Sequence, residues 1–280
     1  MAGETVLITG GSSGIGWSTA ELLAQRGFRV FATTRSLARR HDLVEEAAAT
    51  YGGLITFLAM DSTNDESVAR CVAEVLRQGA RIDNLVCNAG IVIIGSIEET
   101  PISLVRRQLE VNLLGYIRTV QAVLPHMRQQ GRGRIVLVSS LASVLAIPFQ
   151  SHYSMSKYAV EALAEGLRQE VRRFGISVSS VRPGDIRTPI HRDSLRHLPA
   201  HSPYGRWSAR AVAAMDRSMA KAPPPSRVAR KIHHILTARR PPRSTTVADF
   251  VSRLAPVFLP LLPRGLKEKI VRIFYDVDFP

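Results

Sequence analysis

Cysteine is scarce in this 280-residue chain, and the two present, Cys71 and Cys87, are too few for the disulfide framework of a small secreted domain. Cys87 falls in an apolar run that reads as a central strand, so both are expected to be buried thiols. No apolar stretch approaches the ~20 residues that span a bilayer. Met1-Ala-Gly-Glu4 leads directly into the first strand, so no signal peptide is expected. Aromatic residues are only 6 % of the chain, and its basic part does not interleave them for base stacking, so no nucleic-acid partner is expected. His191, His197 and His201 fit no metal-ligand spacing and have no cysteine beside them, which argues against a metal site. Acidic residues also run short, at 23 against 37 basic ones, and residues 181–280 hold most of the imbalance with 19 Lys+Arg against 7 Asp+Glu. That basic surface is either simply solvated or attracts anionic membranes or acidic substrates. With 45 % hydrophobic residues and no internal repeat, the chain can bury one large core, and a cytoplasmic protein is the default.

What the chain does have is a regular alternation. Apolar runs near 5–8, 28–33, 54–59, 83–87, 134–139 and 176–181 are separated by longer stretches of helical period. The pattern predicts an α/β fold, a parallel sheet covered on both faces. The first run, Thr5-Val-Leu-Ile8, enters Thr9-Gly-Gly-Ser-Ser-Gly-Ile-Gly16, and a helical stretch from Trp17 to Arg26 follows. Strand, glycine turn and helix together make a phosphate cradle. Gly10 allows the tight turn, Gly14 lets backbone approach the phosphates, Gly16 permits close helix packing, and the helix N-terminus faces the pyrophosphate. Ser12, Ser13 and Ile15 lie within the same loop.

The second signal is Tyr153-Ser-Met-Ser-Lys157, where four residues make one helical turn and put phenol and ammonium on one face. An isolated tyrosine titrates near pH ~10 and is a poor acid at neutral pH. A cation beside it favours the phenolate, so Lys157 is expected to acidify Tyr153. His152 adjoins the tyrosine but points elsewhere on a helix, and no catalytic role is assigned to it.

These residues resemble the short-chain dehydrogenase/reductase family, whose compact branch carries T-G-x-x-x-G-x-G, matched by Thr9, Gly10, Gly14 and Gly16. Further motifs follow in order. Asn88-Ala89-Gly90 is similar to the family's N-A-G turn beside the cofactor, and Asn112 to its active-site asparagine. Ser140, closing the strand from Arg134, is similar to the catalytic serine and suits the spacing better than Ser139. Pro183-Gly184 with Thr188 is similar to the segment beside the nicotinamide, and Asp61 to the acid beside the adenine amino group. The resemblance covers roughly residues 4 to 190. It implies a Rossmann-type doubly wound sheet in a single domain over 1–280: a cofactor-binding and catalytic core at 1–188, a substrate lid at 189–225 and an apolar, basic tail at 245–280. It also implies a homodimer or homotetramer through the helices near 113–130 and 154–173.

The resemblance implies a division of labour. Tyr153 would exchange the proton, Ser140 would hold the carbonyl oxygen, Lys157 would bind the nicotinamide ribose and lower the tyrosine's pKa, and Asn112 would position a water. At the end of the second strand, Thr33-Thr-Arg35, no acid is present to bind a ribose 2′-hydroxyl. Arg35 there favours a 2′-phosphate, so NADPH is preferred over NAD, while Arg39 and Arg40 read as solvated. Phe250 to Pro263 is apolar but broken by three prolines, and Ile270, Ile273 and Phe274 follow at helical spacing among basic residues. This tail is expected to pack over the core or the substrate pocket, with peripheral membrane contact as the second reading. Ala146-Ile-Pro-Phe149 is expected to line an apolar pocket. The expected activity is interconversion of a ketone and a secondary alcohol on a bulky hydrophobic molecule: a steroid, a retinoid or a fatty-acyl derivative. The alternatives are a 3-oxoacyl-thioester reductase and a non-catalytic NADP(H)-binding scaffold.

Overall fold

A computed structural model of the chain describes residues 3–78, 81–249, 258 and 261–277. A seven-stranded parallel sheet runs in the order β3-β2-β1-β4-β6-β7-β9. Its strands are β1 (Thr5–Ile8), β2 (Arg29–Thr34), β3 (Ile55–Ala59), β4 (Asn84–Cys87), β6 (Gly133–Val138), β7 (Ile176–Pro183) and β9 (Ser244–Val247). Six of them match the apolar runs. The seventh was not foreseen, because Ser-Thr-Thr-Val at a sheet edge buries only Val247 and so carries no apolar signature.

Side-chain alternation along the strands divides the core in two. Leu7, Phe31, Leu85, Ile135 and Leu137 face helices α3 (Asp65–Arg77), α5 (Gly115–Gln129) and α6 (Ser151–Val171). Val6, Ile8, Val30, Val86, Val136 and Val138 face α1 (Gly14–Gln25) and α9 (Ser226–Thr237), with α2 (His41–Tyr51) beside β3. On α9 the apolar positions Val228, Ala229, Ile232, Ile235 and Leu236 form one buried stripe. Each such side chain taken from water contributes about 1.5–3 kcal/mol. Both cysteines are buried free thiols, and burial pushes Cys71 up to about 12, so it is an inert core residue.

The order of the strands reverses between β1 and β4, and a doubly wound sheet opens its crevice at the carboxyl ends of the strands there. Beyond those ends lie α4 (Ile102–Leu109), α7 (Pro189–Arg192), α8 (Gly205–Ala220) and α10 (Arg264–Phe274). A two-stranded parallel pair, β5 (Ile93–Ile94) with β8 (Leu195–Arg196), ties the segment after Thr188 to the core. The expected lid is thus partly helical and anchored. α10 turns Val271 and Tyr275 inward onto Val92, Ile94 and Met215, and Lys267 Nζ donates to the Val144 carbonyl at 2.6 Å. Most of the proline-broken run from Phe250 to Pro263 lies outside the described residues.

Candidate active site

The glycine loop is held by the side chains of Thr9 and Asn88. Thr9 Oγ1 accepts the backbone N–H groups of Asn88 (2.9 Å) and Ala89 (3.0 Å), while Asn88 Nδ2 donates to the carbonyls of Thr9 and Gly10, each at 3.1 Å. The β1 and β4 turns are therefore clamped together. A Cβ on Gly16 would stand 2.2 Å from the Gly10 carbonyl oxygen and 2.6 Å from Asn88 Nδ2, so only glycine fits there. Gly10 takes φ +64, a left-handed conformation that side chains resist. α1 begins at Gly14, three residues before the sequence suggests, and its N-cap Ser13 makes no side-chain capping bond. The first amides of that helix are left to an anionic ligand.

These walls open into one cleft of about 1750 Å³. Gly10, Ser12, Ser13, Gly14 and Ile15 line it, with Asn88, Ala89 and Gly90 opposite and Pro183, Gly184 and Thr188 above. Arg35 and Asp61 line it too, and Arg39 and Arg40 stand at its edge exposed to solvent, as expected. Burial works to raise the Asp61 carboxyl, but hydrogen bonds from Thr63 and the charges of Arg35 and Arg118 outweigh it and hold it below its ordinary value. A glycine cradle without side chains, an uncapped helix start and a cationic end together fit a dinucleotide carrying phosphates.

Ser140, Tyr153 and Lys157 line the middle of the same cleft. Ser140 lies two residues past β6, where it caps the short turn Leu141–Ser143 with its Oγ accepting from Ala142 N at 3.1 Å, and it hydrogen-bonds toward Tyr153. Ser139 instead turns its hydroxyl to the Lys157 carbonyl at 3.3 Å. One turn of α6 carries Lys157 to a point 5.8 Å from the Tyr153 ring centre, where Nζ donates to the Val138 carbonyl at 3.0 Å. Tyr116, unnoticed in the sequence, donates to that same carbonyl at 3.1 Å. Burial pushes the Lys157 ammonium down to about 8, with the Glu161 carboxylate opposing the fall. The lysine thus remains charged at neutral pH. The phenol does not behave as expected: burial raises Tyr153, and the Asp185 charge adds to this, against the lowering hydrogen bond from Ser140. Desolvation outweighs the hydrogen bond from Ser140.

Three expected site residues do not reach the cleft wall. Thr9 and Gly16 shape it from behind, as described above. Asn112 is fully buried in a π-helical turn, Glu110–Leu114, between α4 and α5. Its Oδ1 accepts from Ile91 N at 2.8 Å, and its Nδ2 donates to Ile91 O at 3.0 Å and Ser156 Oγ at 3.2 Å. The amide is committed to holding Ile91, next to the Asn88-Ala89-Gly90 turn, against α6. His152 Nε2 lies 3.0 Å from the Ile93 carbonyl, turned into the β5 packing. Among the described residues no group of three or more His, Cys, Asp or Glu could hold a metal ion.

Apolar lining of the cleft comes from distant segments: Leu145 and Ile147, Met215 and Met219 of α8, and Phe258, Ile270, Phe274 and Tyr275 of the tail. Of the Ala146–Phe149 stretch expected to line an apolar pocket, Ile147 lines the cleft and the other three residues do not. Asp185, which no motif singled out, lines the cleft too.

Comparison with known proteins places the chain in a family. Residues 4–198 match the family described as short chain dehydrogenase, and the chain belongs to the short-chain dehydrogenases/reductases. It is 32 % identical to a 3-ketodihydrosphingosine reductase of Bacteroides thetaiotaomicron over 99 % of this chain and 100 % of that one. It is 33 % identical to an estradiol 17-beta-dehydrogenase 1 of Rattus norvegicus over 92 % of this chain and 76 % of that one. Among solved structures, a short-chain dehydrogenase from Streptomyces avermitilis superposes with a TM-score of 0.82 at 29 % identity over 99 % of both chains. The protein is an NAD(P)-dependent oxidoreductase acting on CH–OH groups.

Proposed function

We propose that the chain is an NADP(H)-preferring reductase and dehydrogenase that interconverts a ketone and a secondary alcohol on a bulky apolar molecule. The observation that carries this is the convergence of Ser140, Tyr153 and Lys157 on one cleft whose two ends are cationic and apolar. A bound nicotinamide cofactor supplies the hydride. Gly10 to Ile15, Asn88 to Gly90, and Thr188 hold the dinucleotide, Asp61 meets its adenine, and Arg35 meets the 2′-phosphate, with Arg39 and Arg40 adding positive charge. Ser140 holds the substrate oxygen against Tyr153. Tyr153 gives its proton to that oxygen in reduction and takes it back in oxidation. A phenol is protonated at neutral pH and so carries the proton that reduction consumes. Lys157, charged and 5.8 Å from the ring, offsets the phenolate left behind. Asn112 acts as a positioning residue that keeps the Ile91 backbone and Ser156 in register.

Apolar lining from Leu145, Ile147, Met215 and Phe274, together with the activities for which the two relatives are named, supports a lipid or steroid ketone. On α10, Leu266, Ile270, Ile273 and Phe274 form a stripe at i, i+4, i+7 and i+8 that is 44–59 % exposed. Ile270 and Phe274 line the cleft as well. This apolar rim, set in the basic 181–280 segment, fits peripheral contact with an anionic membrane from which a lipid substrate enters. Among the described residues no helix is long and apolar enough to cross a membrane. Exposed Met155 and Tyr158 on α6 fit a homo-oligomeric contact through α5 and α6.

The test is turnover. Purified protein is given long-chain ketones, steroid ketones, retinal and 3-oxoacyl thioesters with NADPH or NADH, and reduced-cofactor absorbance is followed. Ketone reduction with NADPH, lowered at least ~10²-fold in Tyr153→Phe while NADPH still binds, is the expected result. Turnover confined to thioesters would favour the acyl-thioester reductase, and cofactor binding without turnover the scaffold. For cofactor choice, Arg35→Ala is expected to raise the KM for NADPH about tenfold and leave that for NADH unchanged. Equal effects on both would remove Arg35 from the 2′-phosphate.

A further inference from the structure

A second phenol reaches the cleft from the far end of the chain. Tyr275 caps α10, is 9 % exposed, and lines the cleft together with Ser140 and Tyr153. It belongs to one apolar cluster with Val92, Ile94 and Met215, against which Tyr153 also packs. Among the described residues its hydroxyl makes no hydrogen bond. A buried polar group in that state is unfavourable until a ligand completes it. Burial holds this phenol far above its ordinary value, with smaller contributions from Asp185 and a Tyr153 phenolate, so it keeps its proton and serves as a donor. The turn that carries it is built to hold it still. Val277 N–H donates to the Arg272 carbonyl at 2.9 Å and Asp276 N–H to the Ile273 carbonyl at 3.2 Å, the paired bonds that close a helix through a left-handed residue. That residue is Asp276, at φ +56, where glycine is usual. What aspartate supplies and glycine would not is a carboxylate, and Arg210 of α8 forks onto it, Nε at 2.9 Å and Nη2 at 2.7 Å. A strained residue and a two-bond ion pair thus fix the position next to Tyr275.

We infer that Tyr275 is a further catalytic residue, a third hydrogen-bond donor to the reacting oxygen, and that the Arg210–Asp276 pair is its positioning device. The inference rests on the reductase reading. A carbonyl oxygen has two lone pairs, and in that reading Ser140 and Tyr153 take both. When the carbon is reduced, the pair of the C=O π bond becomes a third lone pair on the oxygen. Tyr275 donates to that pair. Its bond forms only as charge develops, so it stabilises the transition state and leaves binding of the ketone unaltered.

Tyr275→Phe removes the hydroxyl and keeps the ring. In this variant kcat for ketone reduction is expected to fall at least ~10-fold, with the KM for the ketone, NADPH affinity and urea stability unchanged. An unchanged kcat, a rise in KM alone, or a loss of stability each overturns the proposal. Arg210→Met is expected to lower kcat in the unaltered protein and to lower it no further in Tyr275→Phe. Additive losses would overturn the positioning role of the ion pair. A second measurement needs no turnover: the full chain with NADP⁺ is titrated by calorimetry with octanoate, whose carboxylate stands in for the developing oxyanion. Octanoate is expected to bind about tenfold more weakly to Tyr275→Phe. Equal affinity, or no binding to either protein, overturns the proposal. Failure to reduce any ketone would remove the reductase reading instead, and the titration would still decide on Tyr275.

Discussion

At the β1–α1 end of the cleft the walls are backbone: glycine turns, helix amides and the clamp of Thr9 and Asn88. At the lid end they are side chains delivered by α8, α10 and the loop after β6, drawn from segments more than a hundred residues apart. A backbone wall has no slack. A cofactor shared by many enzymes can be met by such a wall, because its phosphates need amides and space rather than a particular side chain. A side-chain wall can be exchanged residue by residue, which suits a substrate peculiar to one enzyme. The difference predicts unequal responses to mutation.

The largest effect belongs at the backbone end. Gly16→Ala puts a methyl 2.2 Å from the Gly10 carbonyl and 2.6 Å from Asn88 Nδ2, and neither can retreat without opening the clamp between β1 and β4. Affinity for NADPH, read by fluorescence titration, is expected to fall at least ~10²-fold, with a stability loss of roughly 1–3 kcal/mol from overpacking. Undiminished binding would show that the loop is looser than this geometry. At the substrate end, Phe274→Ser removes one exposed rim residue. The expected results are a rise of about tenfold in KM for a long-chain ketone, unchanged NADPH affinity and weaker co-sedimentation with anionic vesicles. A loss of NADPH affinity there would erase the division between the two ends.

The same division explains what could be read in advance. Six strands were visible because parallel strands buried on both faces are continuous apolar runs, and the glycine cradle was visible because only glycine satisfies its sterics. The edge strand β9 buries one side chain, and the π-helical turn at Asn112 follows no residue pattern, so neither was legible. Arg39 and Arg40 are solvent-exposed as expected, but that they also border the cleft follows from no local pattern. Asp185 and Tyr275 meet near Tyr153 only because β7 and the tail are folded onto one another, and no spacing in the sequence reports that. The tyrosine's pKa was misjudged for a related reason. Adjacency on a helix gives the sign a Lys157 effect would have, but the burial that raises Tyr153 comes from the whole fold.

Lys157 lies between the two ends and offers the subtlest test. Its ammonium is 4 % exposed and titrates at about 8 rather than 10.5, so the cofactor-free fold bears a cost of about 3 kcal/mol for holding it charged. Below about pH 8 the lysine is protonated in both folded and unfolded chains, and the whole cost is present. Between there and 10.5 the unfolded chain binds more protons than the folded one, so stability rises with pH through that window. Lys157→Met removes the charge and also the bond to the Val138 carbonyl, which is worth about 1 kcal/mol and leaves that oxygen still paired with Tyr116. At pH ~7 the methionine variant is therefore expected to be inactive yet about 2 kcal/mol more stable in urea unfolding, with the advantage shrinking as pH climbs past the lysine's own titration. A gap that stays constant across that range would mean the ammonium is better solvated than its burial implies. The cation beside Tyr153 would then be held without strain, and its retention would need no catalytic reason.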